Sequence, residues 1–243
     1  MIHSSVVIED GAKIADNVTI GPFCYIGKDV ELSSNCILES NIILKGKLKV
    51  EESVRIFSFS VIGENDTEIE IGSSTHIREF NQIGSQITED SSSKKITIGK
   101  NNFLMAYCQI LAGVTTGESC IFTNAVILSE NVKCEDKVIV GGLSTIEANN
   151  TLGTGVMIGG ASYVDHDMPP FTLVEGNKAS VKALNIIGLR RRLENKSDIE
   201  EIKSIFKRIL GDCVDKDLAL KIAQEHENEY AKALALFVAN SNI

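Results

Sequence analysis

Tryptophan is absent from this 243-residue chain, and aromatic residues make up only 5% of it. That scarcity excludes a core built on large rings and suits a narrow interior filled by Ile, Val and small side chains. Basic residues are the minority too: 24 Lys and Arg stand against 33 Asp and Glu, for a net charge of −9. A dispersed acidic surface excludes nucleic acid as the main partner, because neutralising phosphates needs a basic track. It lends no support to anionic lipid headgroups either. No apolar run is long enough to span a bilayer, so no membrane insertion is expected. The opening MIHSSVVIED lacks a basic start followed by an apolar core, and the expected location is cytoplasmic. No CxxC pair occurs among the six cysteines, so no metal site is expected.

What the chain does have is a rhythm. From Ile98, every sixth residue is Ile98, Leu104, Ile110, Thr116, Phe122, Leu128, Cys134, Val140, Ile146, Leu152, Ile158 and Val164. All but Thr116, Phe122 and Cys134 are aliphatic. Four residues after the markers come small or branched companions such as Cys108, Val114, Cys120, Val126, Val132, Val138, Ser144 and Val156. Upstream, Ile8, Ile14, Ile20, Ile26, Leu32, Leu38, Leu44, Val50, Ile56 and Ile62 keep the same count. The frame slips before Ile71, runs through Ile77 and Ile83, and slips again before Ile98. Neither a lone helix nor an alternating strand has this period. A solenoid of short strands and tight corners does. Cys24, Cys36, Cys108 and Cys120 fall on companion positions and Cys134 on a marker, which predicts reduced thiols used as core filler.

The ladder is expected to fill residues 1–170, with an exposed, Ser-rich loop insertion near 85–97. Asp165-His166-Asp167-Met168-Pro169-Pro170 should end it, since two prolines lack donors. A helical region is expected over 171–243. Lys182–Leu193 has helical apolar spacing. Ser197-Asp198-Ile199-Glu200 matches a capping box for a helix to about Leu210, ended by Gly211. Val214 to about Ala239 reads as another amphipathic helix or pair, with apolar Leu218, Leu220, Ile222, Leu234 and Leu236.

Several motifs carry a resemblance over the whole chain: IGPF (Ile20–Phe23), IGG (Ile158–Gly160), MPPF (Met168–Phe171), EGN (Glu175–Asn177) and N-x-x-G-L-x-R-R (Asn185–Arg192). With the ladder they resemble the acyl-carrier-protein-dependent UDP-N-acetylglucosamine O-acyltransferases that begin lipid A synthesis. The resemblance implies a left-handed parallel β-helix, a homotrimer and clefts between neighbouring subunits. Acyl carrier protein and a nucleotide sugar are the implied partners, with the acyl thioester as donor and no cofactor. It further implies that Asn185, Arg191 and Arg192 face donor or nucleotide phosphates. Arginine's planar fork suits that role, although Arg190–Arg192 also fit a solvated basic turn at a helix C-terminus. Gly160 falls near the place where the family measures acyl length.

In that family a histidine takes the proton from the sugar hydroxyl as it attacks the thioester of a 3-hydroxyacyl chain. Aligning Leu104–Gly117 to the motif puts Ala112 at that position. Gln109, Asn131 and Glu147 stand at three further positions that are usually histidine, and no histidine lies between His76 and His166. The Gly63–Gly72 segment is also shorter than the family's loop for the nucleotide sugar. Glu147 is the chemical candidate for a substitute base, against a plain outward corner acid. His166, beside Asp165 and Asp167, fits a turn near the cleft or simple exposure. Four readings follow. The first is O-acyl transfer to a UDP-amino sugar with a substitute base. The second is transfer to an amine, which is already nucleophilic. The third is an inactive homologue that binds carrier or sugar, or partners an active paralogue. The fourth, a purely structural solenoid, leaves Asn185 and the arginines without a use.

Overall fold

The computed structural model describes residues 1–64, 68–84, 95–193, 195–211 and 213–243. The chain winds into a parallel solenoid of about 9 turns followed by helices. Its strands, mostly two residues long, stack into three faces. Face I runs from Val7–Ile8 to Tyr163–Val164, face II from Lys13–Ile14 to Thr151–Leu152, and face III from Thr19–Ile20 to Ser180–Leu184. Registers such as Val7 with Tyr25 and Gln109 with Ile127 place each residue over its counterpart one turn on.

The six-residue rhythm follows from this winding, because each turn has three faces and each face needs one inward marker. Ile20, Ile56, Leu104, Ile110, Val140 and Ile158 are all buried, as are Cys24, Cys36, Cys108, Cys120 and Cys134. Corners close through left-handed backbone. At the III/I corner Phe23, Asn41, Phe59, Phe80, Tyr107, Ala125, Leu143 and Ala161 have φ between +54° and +66°. Side chains there point outward from a tight reversal, a conformation that costs roughly 1–2 kcal/mol for a non-glycine residue and is held by the stacked rungs.

At two companion positions, four residues after Ile77 and Ile98, polar groups enter the core and are satisfied. Asn81 Nδ2 donates to the carbonyls of Arg78 (2.7 Å) and Met105 (2.9 Å), while its Oδ1 accepts from Cys108 N. Asn102 repeats the device, donating to Thr116 Oγ1 at 2.8 Å and accepting from Cys120 N. Pairing of this kind offsets the cost of burying an amide. The expected insertion loop falls on 85–94, outside the described residues. Its C-terminal end, Lys95–Ile98, is a strand of face II.

The outer surfaces of the three faces differ. Face II carries a charged ladder, with Lys13–Glu31 at 2.5 Å, Lys47–Glu68 at 3.0 Å and Lys95–Glu70 at 2.9 Å. Exposed pairs like these, screened by solvent, add little stability, but they mark a face that stays in water. The other two are largely apolar outside, with Arg55 and His76 on face III and Gln82 and Gln109 on face I as polar exceptions. Face III presents Ile37, Phe103, Ile121, Ile139 and Met157, and face I presents Val7, Ile43, Val61 and Ile127. At their shared corner Phe80 stacks on Phe59 (5.1 Å) and on Tyr107 (4.9 Å), and all three rings are exposed.

The sheet continues past residue 170. Thr172–Glu175 joins face III in parallel, and Ser180–Leu184 returns antiparallel to it. The helix expected over 182–193 is therefore a strand followed by a short helix, α1 (Ile186–Arg190). Val181 and Leu184 stand three apart, a helical spacing, and serve the strand only because its register against the previous one shifts at Leu173/Val174, setting them opposite Val174 and Thr172. Next come α2 (Lys196–Leu210), α3 (Lys216–Glu225) and α4 (Glu229–Asn240). The cap of α2 is Asn195, whose side chain accepts from Ser197 N, rather than Ser197 itself; Gly211 ends it as expected. The helices close over Phe171, Leu189, Ile202, Ile209, Ile222 and Leu234, leaving Leu220 and Leu236 exposed. Asp167 ties them to the ladder, accepting from Thr151 N (2.6 Å) and Asn242 N (2.8 Å). Among the described residues no helix is long and apolar enough to cross a membrane.

Candidate functional site

The corner between faces I and II collects the first group of candidates. Ala112, Asn131, Glu147 and His166 each lie one to three residues beyond a face I marker, with Gln109 half-buried on face I beside them. Ala112 is only 1% exposed, and its carbonyl accepts from Asn131 N at 2.9 Å. Asn131 belongs to a stacked column: its Oδ1 fills the space above Gly113, and its Nδ2 donates to Asn149 Oδ1 at 3.1 Å. Glu147 is exposed and accepts a hydrogen bond from the Tyr163 hydroxyl, which holds that phenol above its ordinary range.

Close by, Asp165 joins an imidazole and an ammonium. Its Oδ1 lies 2.8 Å from His166 Nδ1, and its Oδ2 lies 3.2 Å from Lys178 Nζ. His166 first and Lys178 second hold the Asp165 carboxyl below its ordinary value. Lys178 arrives from the segment between the last two strands, pinned by Tyr163 N to Gly176 O (3.0 Å) and Ala179 N to Tyr163 O (2.7 Å). Sequence reasoning found His166 and Asp165 but missed Tyr163 and Lys178. The turn spacing that stacks Tyr163 over Thr145, beside Glu147, was the available signal.

The remaining candidates sit on other corners. Gly160 is exposed at the III/I corner among Gly141, Gly142 and Gly159, where a Cβ would meet only the Gly142 backbone. Asn185 and Arg192 gather at the II/III corner. Asn185 caps α1, accepting from Gly188 N at 2.9 Å, and donates to Gly155 O at 3.2 Å. Arg192 lies against Gly155 with its guanidinium 6.0 Å from the Phe171 ring centroid. Burial draws that guanidinium below its ordinary value, opposed by Tyr230 and Asp136. Arg191 points to solvent. Beyond α1, a groove of about 610 Å³ between the last strand and α2 is lined by Lys182, Lys203 and Lys207 with Phe206. No group of three His, Cys, Asp or Glu suited to a metal occurs among the described residues. The candidates thus occupy all three corners of one prism and do not converge within a single chain.

The helical end, residues 167–242, matches the family model described as Udp N-acetylglucosamine O-acyltransferase, Domain 2. An acyl-carrier-protein–UDP-N-acetylglucosamine O-acyltransferase from Aliarcobacter butzleri is 39% identical, over 99% of this chain and 95% of that protein. The enzyme of the same name from Campylobacter concisus is 32% identical, over 98% and 94%. Among solved structures, the UDP-N-acetylglucosamine acyltransferase from Campylobacter jejuni superposes with a TM-score of 0.93 at 31% identity, covering 100% of this chain and 97% of that one. These structural neighbours are left-handed β-helices, the hand expected from the sequence resemblance. Ladder, helical end and full-length similarity agree, and the chain belongs to the UDP-N-acetylglucosamine O-acyltransferase family.

Proposed function

We propose that this protein transfers an acyl group, of the 3-hydroxyacyl class, from acyl carrier protein to the sugar of UDP-N-acetylglucosamine, at seams between three copies of the chain. One observation carries the reading: the candidate residues lie on three different corners, and only neighbouring copies can bring those corners together. The surfaces support the arrangement. Faces I and III are largely apolar outside and meet at the stacked aromatic edge, while face II is charged. Three prisms that point this edge inward bury face III of one against face I of the next. The outer mouth of each seam then joins the I/II corner of one copy to the II/III corner of its neighbour. Ala112, Asn131, Glu147 and His166 would face Asn185 and Arg191 across it. Gly160, at the inner edge, leaves room for an acyl chain deep in the seam.

Arg191 is free to meet phosphate, whereas Asn185 and Arg192 have first to hold α1 against the ladder. An assay with acyl-carrier-protein thioester and UDP-N-acetylglucosamine tests the proposal. Turnover is expected, with KM for the nucleotide sugar raised roughly tenfold in Arg191→Ala, as loss of one charge-assisted contact implies. Absence of any product would sink it.

The alanine at position 112 favours a second reading, in which the acceptor is an amino sugar. An amine needs less help from a base than a hydroxyl does. Product from a 3-amino analogue and none from UDP-N-acetylglucosamine would select it. Saturable thioester binding without turnover of either would select a silent binding homologue.

A further inference from the structure

Acyl transfer to a hydroxyl needs a group to take the proton, and Ala112 has none to offer. The chain holds four histidines. His3 is exposed at the first turn and engages Ser5. His76 stands outside face III against the edge of Phe103, at 6.3 Å. His226 caps α3, with Nδ1 accepting from Asn228 N and Nε2 3.4 Å from Glu201. His166 differs from all three. It is partly covered, sits on the corner that carries Ala112, Asn131 and Glu147, and has Nδ1 fixed by a carboxylate. Its Nε2 makes no hydrogen bond among the described residues.

Resting on the acyl-transfer reading, we propose that His166, oriented by Asp165, is the general base of the transfer. Nε2 takes the proton from the acceptor hydroxyl as that oxygen bonds to the thioester carbonyl carbon. The carbonyl re-forms as the carbon–sulfur bond breaks, and the proton passes from Nε2 to the departing sulfur. An ester and a free carrier thiol result, and the ring returns to its starting state. Asp165 keeps the second ring proton on Nδ1, which leaves the Nε2 lone pair for substrate. Lys178, on the carboxylate's other oxygen, stops Asp165 from swinging away. His166 lies roughly three rungs from Ala112, or ~14 Å at ~4.8 Å per rung. The reacting bond is correspondingly displaced toward the helical end of the seam. Asp165 is the charged group in contact with the ring; Lys178 holds its other oxygen, Asp167 next in the chain is taken up by Thr151 N and Asn242 N, and Glu147, one rung earlier on the same corner, engages Tyr163.

Steady-state kinetics with acyl-carrier-protein thioester and UDP-N-acetylglucosamine test this. In the native protein kcat/KM should fall on acidification through a single limb within roughly pH 5 to 8, where histidine ordinarily titrates. His166→Asn keeps a donor toward Asp165 and removes Nε2; kcat should drop by about 10²–10⁴-fold with KM little changed. The acid limb should vanish with it. Asp165→Asn should lower kcat while the limb persists. A His166→Asn variant within about twofold of the native rate, or one that keeps the limb, overturns the assignment. Should that variant fail to fold, a flat native profile over the same range also overturns it. If the native protein gives no turnover at all, the acyl-transfer reading fails first and this assignment fails with it.

Discussion

The Arg192 guanidinium occupies the space that a side chain on Gly155 would need. Gly155 also has φ +66°, so two constraints meet at one corner. That contact, with the Asn185 bond to Gly155 O, is how the helical end grips the ladder. Gly155→Ala must strain the backbone and expel the guanidinium. A loss of about 1–3 kcal/mol is expected, read as a lower urea midpoint. An unchanged midpoint would mean that the grip lies elsewhere.

Ile110 is 1% exposed within the central stack of face I. Ile110→Asp would place an unpaired carboxylate between rungs, at a cost of several kcal/mol. The expected result is loss of cooperative thermal unfolding by circular dichroism. A native melting curve would show the rung phase to be wrong.

Five of the six cysteines are buried and Cys213 is exposed. Burial pushes the Cys108 and Cys120 thiols up to about 11, and Cys134 well above its ordinary value. The thiolate is the reactive form. A maleimide at neutral pH should therefore label Cys213 alone in the native protein, and the others only in denaturant. Mass spectrometry of the labelled peptides decides the matter.

Asp165 gives a pH dependence with a definite sign. Its carboxyl titrates below its ordinary value because His166 and Lys178 favour the ionised form. The stability it adds is complete above the unfolded value, near pH 4, and is lost as pH falls through the lower folded value. Acid unfolding followed in parallel should show Asp165→Asn converging on the native protein at low pH. A difference that persists unchanged below both values would refute the pairing.

The ladder was legible because its period is physical: one inward side chain per face, three faces per turn. The same logic places Cys108 and Cys120 inside, where they are. Ser180–Leu184 was not legible as strand, since Val181 and Leu184 have helical spacing and only the shifted register against Thr172–Glu175 sets them opposite Val174 and Thr172. Asn195 and Ser197 both suit a helix cap, and local backbone chose the earlier one. The Asp165–Lys178 pair depends on one further turn of the winding, through Met168 beside Leu152 and Thr172–Glu175 on face III to Asn177 beside Tyr163, a turn that the six-residue rhythm no longer marks. Hardest to read was the separation of Asn185 from Asn131. Both looked like parts of one site, yet they stand on different corners of the prism.

Mixed assemblies test that separation most directly. His166→Asn alters the I/II corner and Arg191→Glu alters a residue at the II/III corner, so each alone should be nearly inactive. Co-expressed in equal amounts, they should regain roughly a quarter of native activity, because in a statistical mix about that share of seams pairs two intact corners. Activity no greater than the average of the two separate variants would contradict a site completed by neighbouring copies.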